Sequence, residues 1–206
     1  MNNKITENIK CFDECDWLFK YAGNDARGLT ALIYINTVAT SMFSKYKQIN
    51  SVIQYYSFRK DITPLKHATN NRCKKMITMA VEYAKGFTDL ICLTNIKNTE
   101  IDIKCSNEFI KRCNCKDENC FYFNFEDIIS LTTVNSIKLY MLYKRYYNKL
   151  KYIKFRDSEI TEIFGMNVNA RKNMYRAIRN ANDHIGSIGI RYRLEKCGNI
   201  WKFVSA

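Results

Sequence analysis

Over the last fifty residues the apolar positions change period twice, and the change predicts a helix, a turn, a second helix and a hairpin in that order. In NARKNMYRAIRNANDHI, Met174, Ile178, Ala181 and Ile185 fall at i, i+4, i+7 and i+11, which marks one buried face of a helix beginning near Asn169. Arg171, Lys172, Tyr175, Arg176 and Arg179 fall on the faces left over. The preceding DSEITEIF predicts a short helix, with Asp157 as its cap and Gly165 as the left-handed residue that stops it. Gly186 ends the longer helix. Beyond it Ile190, Tyr192 and Leu194 alternate with Arg191, Arg193 and Glu195, the period of a strand with one apolar face. KCGN then offers Gly198 and Asn199, which tolerate a tight turn, before the strand NIWKFV.

The upstream pattern runs in the same order. Residues 1–16 are polar and mixed and read as an arm or a first short helix. Residues 29–47 carry apolar side chains over a wide helical face. The next segment predicts a short helix with Asp61 as cap and Pro64 in its first turn. In NRCKKMITMAVEYAKG, Cys73, Ile77, Ala80 and Ala84 share a face, with Gly86 as the stop. A strand FTDLICLT, a polar excursion and a second strand with Phe121, Phe123 and Phe125 alternating complete the series. A boundary near Ser130–Asn135 separates this copy from the next, which opens with the helix IKLYMLYKRYYNKL capped by Ser136. Its tyrosines 140, 143, 146 and 147 suit core packing better than base stacking.

Helix, short helix, long helix and hairpin together form the plan of a winged helix. The predicted fold is therefore α+β and mainly helical: two tandem winged-helix domains with small antiparallel β-hairpin wings. Residues 1–134 form the first, carrying a cysteine-bearing loop at 95–120 and serving dimerisation or docking. Residues 135–206 form the second, the DNA-binding domain.

Charge placement sharpens this. Of a formal net charge of +13, residues 1–134 carry 18 basic and 15 acidic side chains, whereas residues 135–206 carry 15 basic and 5 acidic ones. An excess so concentrated favours a polyanion, because neutralising phosphates releases counterions. Within the second copy, Arg171, Asn173, Arg176 and Asn180 are suited to base edges, since arginine pairs bidentately with guanine and asparagine with adenine. Lys172, Arg179, Arg191, Arg193 and Lys202 suit phosphates. The first copy offers Arg72, Lys74 and Lys75 at the start of its long helix, with Asn70 and Asn71 able to cap or contact. The expected partner is double-stranded DNA.

Cys105, Cys113, Cys115 and Cys120 form C-x7-C-x-C-x4-C inside the polar excursion, a candidate ligand set for a structural zinc, to which Cys11 and Cys15 could add. The alternative is ordinary core thiols, because the spacing lacks C-x2-C knuckles. No other cofactor is expected. No apolar run reaches the roughly 18 residues of a membrane span, and no signal-peptide core opens the chain, so a cytoplasmic protein with reduced thiols is expected. His67 and His184 are the only histidines, and there is no P-loop, H-E-x-x-H or G-x-S-x-G, which argues against an enzyme, a nicking enzyme included.

Ser136, Ile137, Leu139, Tyr140 and Leu142 match the S-I-R-L-Y-x-L-L opening of one known domain type, with Lys138 where arginine is usual. Ile160, Ile163, Phe164 and Gly165 fit the short helix that follows it there. On these residues the chain resembles the iteron-binding plasmid replication initiators, by motif over the second copy and by architecture alone over the first. The resemblance implies a non-enzymatic initiator that binds repeated origin sites, helps open AT-rich DNA, recruits host replication proteins and represses its own promoter as a homodimer. A winged-helix transcriptional regulator and a structural scaffold for an acidic protein partner are the competing readings.

Overall fold

The structure is a computed structural model that describes residues 9–12, 16–84, 86–87, 91–114, 120–146, 152–165, 171–190 and 192–205. A strand β1 (Ile9–Phe12) and a single helical turn α1 (Asp16–Phe19) come first. Helix α2 (Ala26–Tyr46) follows, and local chemistry sets both of its ends. Asp25 is extended and its Oδ1 accepts from the Arg27 N–H at 3.0 Å, while Lys47 closes the helix in the left-handed region at φ 55°. Next come β2 (Asn50–Gln54), α3 (Tyr55–Asp61), a 3₁₀ turn (Thr63–Leu65), α4 (Asn70–Tyr83), β3 (Ile91–Ile96) and β4 (Glu100–Cys105). After α5 (Asn107–Asn114), β5 (Cys120–Phe123) and α6 (Phe125–Ser130), the order repeats. The second series is α7 (Val134–Tyr146), β6 (Tyr152–Arg156), α8 (Asp157–Phe164), α9 (Arg171–Gly186), β7 (Tyr192–Cys197) and β8 (Ile200–Ser205).

Each half thus runs helix, strand, helix, helix, strand, strand. In each, the last strand lies at the centre of an antiparallel sheet, with order β2-β4-β3 in the first half and β6-β8-β7 in the second. The mixed α+β class predicted from the sequence is therefore observed.

Several local expectations are corrected. The arm at residues 1–16 contains β1, which pairs antiparallel with β5. The 95–120 segment is not one loop: it holds the central strand β4 and helix α5. Ile101 and Ile103 are buried on β4 while Glu100, Asp102 and Lys104 occupy its other face, so the strand's period is masked by its charges. Lys97 meets Glu100 at 2.7 Å and Asp102 at 3.1 Å beside the hairpin turn. CFYF pairs with β1 rather than with the strand before it, and Phe125 opens a helix. Asp61 ends a helix instead of starting one, because its Oδ2 accepts the Tyr34 hydroxyl at 2.5 Å, and Pro64 falls in the 3₁₀ turn. Thr133, not Ser136, caps α7: Thr133 Oγ1 accepts from the Ser136 N–H at 3.1 Å. Gly86 takes a left-handed φ of 84° beyond α4, which already ends at Tyr83. Gly186 is the last residue of α9, as expected, and the left-handed residue beyond it is Gly189 at φ 86°.

The core is continuous through both halves. Helices α2 and α4 approach so closely that a Cβ on Gly28 would lie 3.1 Å from the Ala80 Cβ. Helix α7 is buried on all sides, from Ser136 to Tyr143. Among those residues is Lys138, 1% exposed, whose Nζ donates to the carbonyls of Phe19 and Tyr21 at 2.8 Å each and of Ile163 at 2.7 Å. Three donors meet three acceptors, so a buried ammonium is fully hydrogen-bonded. The same contacts tie the first half's chain at residues 19–21 to the end of α8.

Lys138→Met should strand three buried carbonyls and lower stability by about 2–4 kcal/mol in urea unfolding. Burial also pushes the Lys138 ammonium down to about 8. Between pH 8 and the ordinary lysine range the unfolded chain holds a proton that the folded chain has released, so Lys138 adds stability as pH rises through that window. The stability gap between the wild type and Lys138→Met should widen from pH 8 to pH 10. A constant gap would show that the group does not titrate there.

Candidate nucleic-acid interface

Helix α9 is the most polarised element of the second half. Met174, Ile178, Ala181 and Ile185 are all buried, as their spacing predicted, and the helix packs chiefly on α7. Lys172, Asn173, Arg176, Arg179 and Asn180 are exposed. Arg179 lies 4.0 Å from Asp183 with both side chains about two-thirds in solvent, so the contact holds little of its charge. The expected start of this helix near Asn169, the side chain of Arg171 and all of Arg191 lie outside the described residues.

Polar ties at α9's C-terminal half fix its rotation. The Tyr143 hydroxyl donates to Asn182 Oδ1 at 2.7 Å, and Asn182 Nδ2 donates on to the Tyr192 carbonyl at 2.9 Å. Tyr143 and Tyr192 also stack with centroids 3.9 Å apart. His184 Nδ1 sits 3.1 Å from Ser136 Oγ, giving that histidine a structural partner on α7. Tyr175 is exposed, as expected, and its ring also leans against Trp201 at 5.7 Å between centroids, which links α9 to β8.

Asp157 corrects the expected cap. It is the first residue of α8 and 6% exposed, and its carboxylate serves the hairpin rather than the helix end. Oδ1 accepts from Trp201 Nε1 and from Lys196 Nζ, each at 2.6 Å. Lys196 also lies 4.7 Å from the centre of the Trp201 ring. Glu159 takes over the α8 start by accepting from the Arg156 N–H. Gly165 ends α8 at φ 63°, as expected. In the hairpin, Gly198 alone takes a positive φ, 57°, and Asn199 does not.

Two cations expected to face phosphates are partly neutralised. Arg193 meets Glu195 at 2.7 Å and Lys202 meets it at 3.3 Å. The hydrogen bond from Lys202 holds the Glu195 carboxyl below its ordinary range, with Arg193 adding to the effect. The sequence reading missed Lys154 and Arg156, which lie exposed on β6 beside Tyr152. Lys154 and Lys202 stand 5.0 and 5.2 Å from the centre of the Tyr152 ring. The missed signal was period 2 in YIKFR, where Ile153 and Phe155 are buried between exposed neighbours.

In the first half Arg72 and Lys75 are exposed and Lys74 is half-buried at the start of α4, capped by Thr69 rather than by Asn70 or Asn71. Further along, the exposed face of α4 turns apolar at Met79 and Tyr83. The cysteine set is dispersed over three elements: Cys105 is buried on β4, Cys113 lies on α5 and Cys120 on β5, while Cys115 and Cys15 fall outside the described residues. Burial pushes the Cys105 thiol up to about 11, away from the thiolate that binds zinc. Among the described residues no three His, Cys, Asp or Glu side chains gather as a metal site, and no helix is long and apolar enough to cross a membrane.

In fold, the chain is similar to the Pi initiator protein. That protein was solved in complex with iteron DNA; the superposition has a TM-score of 0.59 at 12% sequence identity and covers 99% of both chains. No protein-family model matches the sequence, and no curated protein matches it either. At that identity the likeness shows the fold, and it extends to the first half, where the sequence offered architecture without motifs.

The Asp157 network gives a direct check on how the hairpin is held. Asp157→Ala leaves Lys196 and the Trp201 indole without their shared acceptor and should cost about 2–4 kcal/mol. Urea unfolding followed by circular dichroism reads it, and a cost below about 0.5 kcal/mol would remove Asp157 from this role.

Proposed function

We propose that the chain is a sequence-specific duplex-DNA-binding protein built of two tandem winged-helix units, and that it acts as a replication initiator of the iteron-binding kind. In this reading α9 enters the major groove. Arg176 and Asn180, with Asn173 and Arg171, face base edges, and Lys172 and Arg179 meet phosphates. The β7–β8 hairpin lies alongside as the wing, with Arg193 and Lys202 on the backbone once DNA competes for Glu195. The chain works by binding rather than by catalysis: it occupies repeated origin sites, helps open adjacent AT-rich DNA and recruits host replication proteins, and as a dimer it represses its own promoter.

The observation that carries the reading is the exposed cationic and amide row of α9, on a helix whose opposite face is locked to α7 and whose flank carries a basic hairpin. The fold likeness to an initiator that binds iteron DNA supports it over the whole length.

Arg176→Ala and Arg179→Ala should each weaken binding to the specific duplex by on the order of 1–3 kcal/mol if they touch bases, and mainly flatten the salt dependence if they touch phosphates. Fluorescence anisotropy over a salt series separates the two. Unchanged affinity and unchanged salt slope in both variants would reject α9 as the reading helix. Directly repeated target sites in footprinting support an initiator, and a single inverted repeat would point to a regulator of the same fold.

A further inference from the structure

At the corner where α3 gives way to α4, Tyr56, Arg59, Lys60, Lys66, His67 and Thr69 line an open cavity of about 800 Å³. This lies within the roughly 300–1,000 Å³ of small-molecule sites and well above what one inorganic anion fills. Three cations and an imidazole converge on it. Among the described residues none of the four is paired with a carboxylate, and the nearest one in sequence, Asp61, already accepts from Tyr34. Arg59 is held in place by donating from Nη1 to the Ala68 carbonyl at 2.8 Å, which leaves the rest of its guanidinium fork for a ligand. Tyr56 is 72% exposed, the most exposed large hydrophobic side chain among the described residues, and its ring contributes to the wall.

We propose that this corner is a nucleotide site, with the phosphate held by Arg59, Lys60 and Lys66 and the base laid against Tyr56. Unpaired cations in a concavity select a phosphate-bearing ligand, and the exposed aromatic wall adds a flat apolar partner that a phosphate alone would leave unused. The same chemistry can arrive as a free nucleotide or as one nucleotide of a DNA strand. The site is separate from α9 and does not depend on the duplex reading assigned to that helix.

Isothermal titration of the full chain with dATP, inorganic phosphate and a short oligothymidylate tests this. The expected result is that dATP or the oligothymidylate binds more tightly than inorganic phosphate, and whichever binds better identifies the source. Lys60→Gln with Lys66→Gln should weaken that binding by about tenfold or more. Tyr56→Ala should weaken it by about tenfold while leaving phosphate binding unchanged. These side chains are exposed, so unaltered thermal melting checks that the variants fold. Arg176→Ala should leave nucleotide binding intact, which separates this site from α9. Three results would overturn the proposal: no binding of either nucleotide probe, binding that these substitutions leave unchanged, or binding of both nucleotide probes no tighter than that of inorganic phosphate. Loss of duplex affinity in the corner variants without nucleotide binding would likewise overturn it and make the corner a contact for the duplex backbone.

Discussion

The placement of α7 is the constraint on which the other elements depend. A helix buried from Ser136 to Tyr143 cannot shift without disturbing both halves, and the buried Lys138 makes its position specific. Apolar packing would tolerate some sliding, whereas one ammonium answering three carbonyls from two distant stretches of chain does not. From that fixed helix the rest follows outward. Tyr143 and Ser136 orient α9, Tyr140 donates to Asp127 Oδ2 at 2.7 Å and so holds α6, and α9 in turn meets β8 through Tyr175. The orientation of the proposed reading helix is thus set from inside the protein.

Charge is distributed unevenly over the second half, and burial explains how. On α9 Lys172, Arg176 and Arg179 are exposed, and the contact of Arg179 with Asp183 is loose. On strands β7 and β8 the cations are engaged, Lys196 by Asp157 and Arg193 and Lys202 by Glu195, while Lys154 and Arg156 stand exposed on β6. The helix and β6 therefore present charge at once, and the β7–β8 hairpin frees its own only when a stronger acceptor displaces a carboxylate. Such an arrangement suits attraction by the helix followed by settling of the hairpin.

Much of this was legible in the chain because periodicity reports burial. The 3.6-residue spacing of Met174, Ile178, Ala181 and Ile185 and the glycine after Phe164 found α8 and α9, and the alternation after Ile190 found the hairpin. Strand β4 was hidden because its outward residues are charged, and the eye reads EIDIK as a polar loop. Asp157, Asp61 and Ser136 were misread for one shared reason. Each sits at a helix end where a cap belongs, yet each answers a partner far away in sequence: Trp201 and Lys196, Tyr34, and His184. Local propensity sees the helix end, and only the fold supplies the distant donor. Lys138 was visible as a departure from a motif, but its burial was not, since a lysine between apolar neighbours reads as an exposed position. The α3–α4 corner was not legible because Arg59 and Lys60 end α3 while Lys66 follows the 3₁₀ turn, so no single periodic element carries its cations.

Both three-stranded sheets place their final strand in the middle. As the chain leaves the ribosome, β2 and β3 have no neighbour until β4 emerges, and β6 and β7 none until β8 does. Until then the backbone edges of those strands stay open to pairing with other molecules. Assembly is consequently closed by a single zipping event in each half.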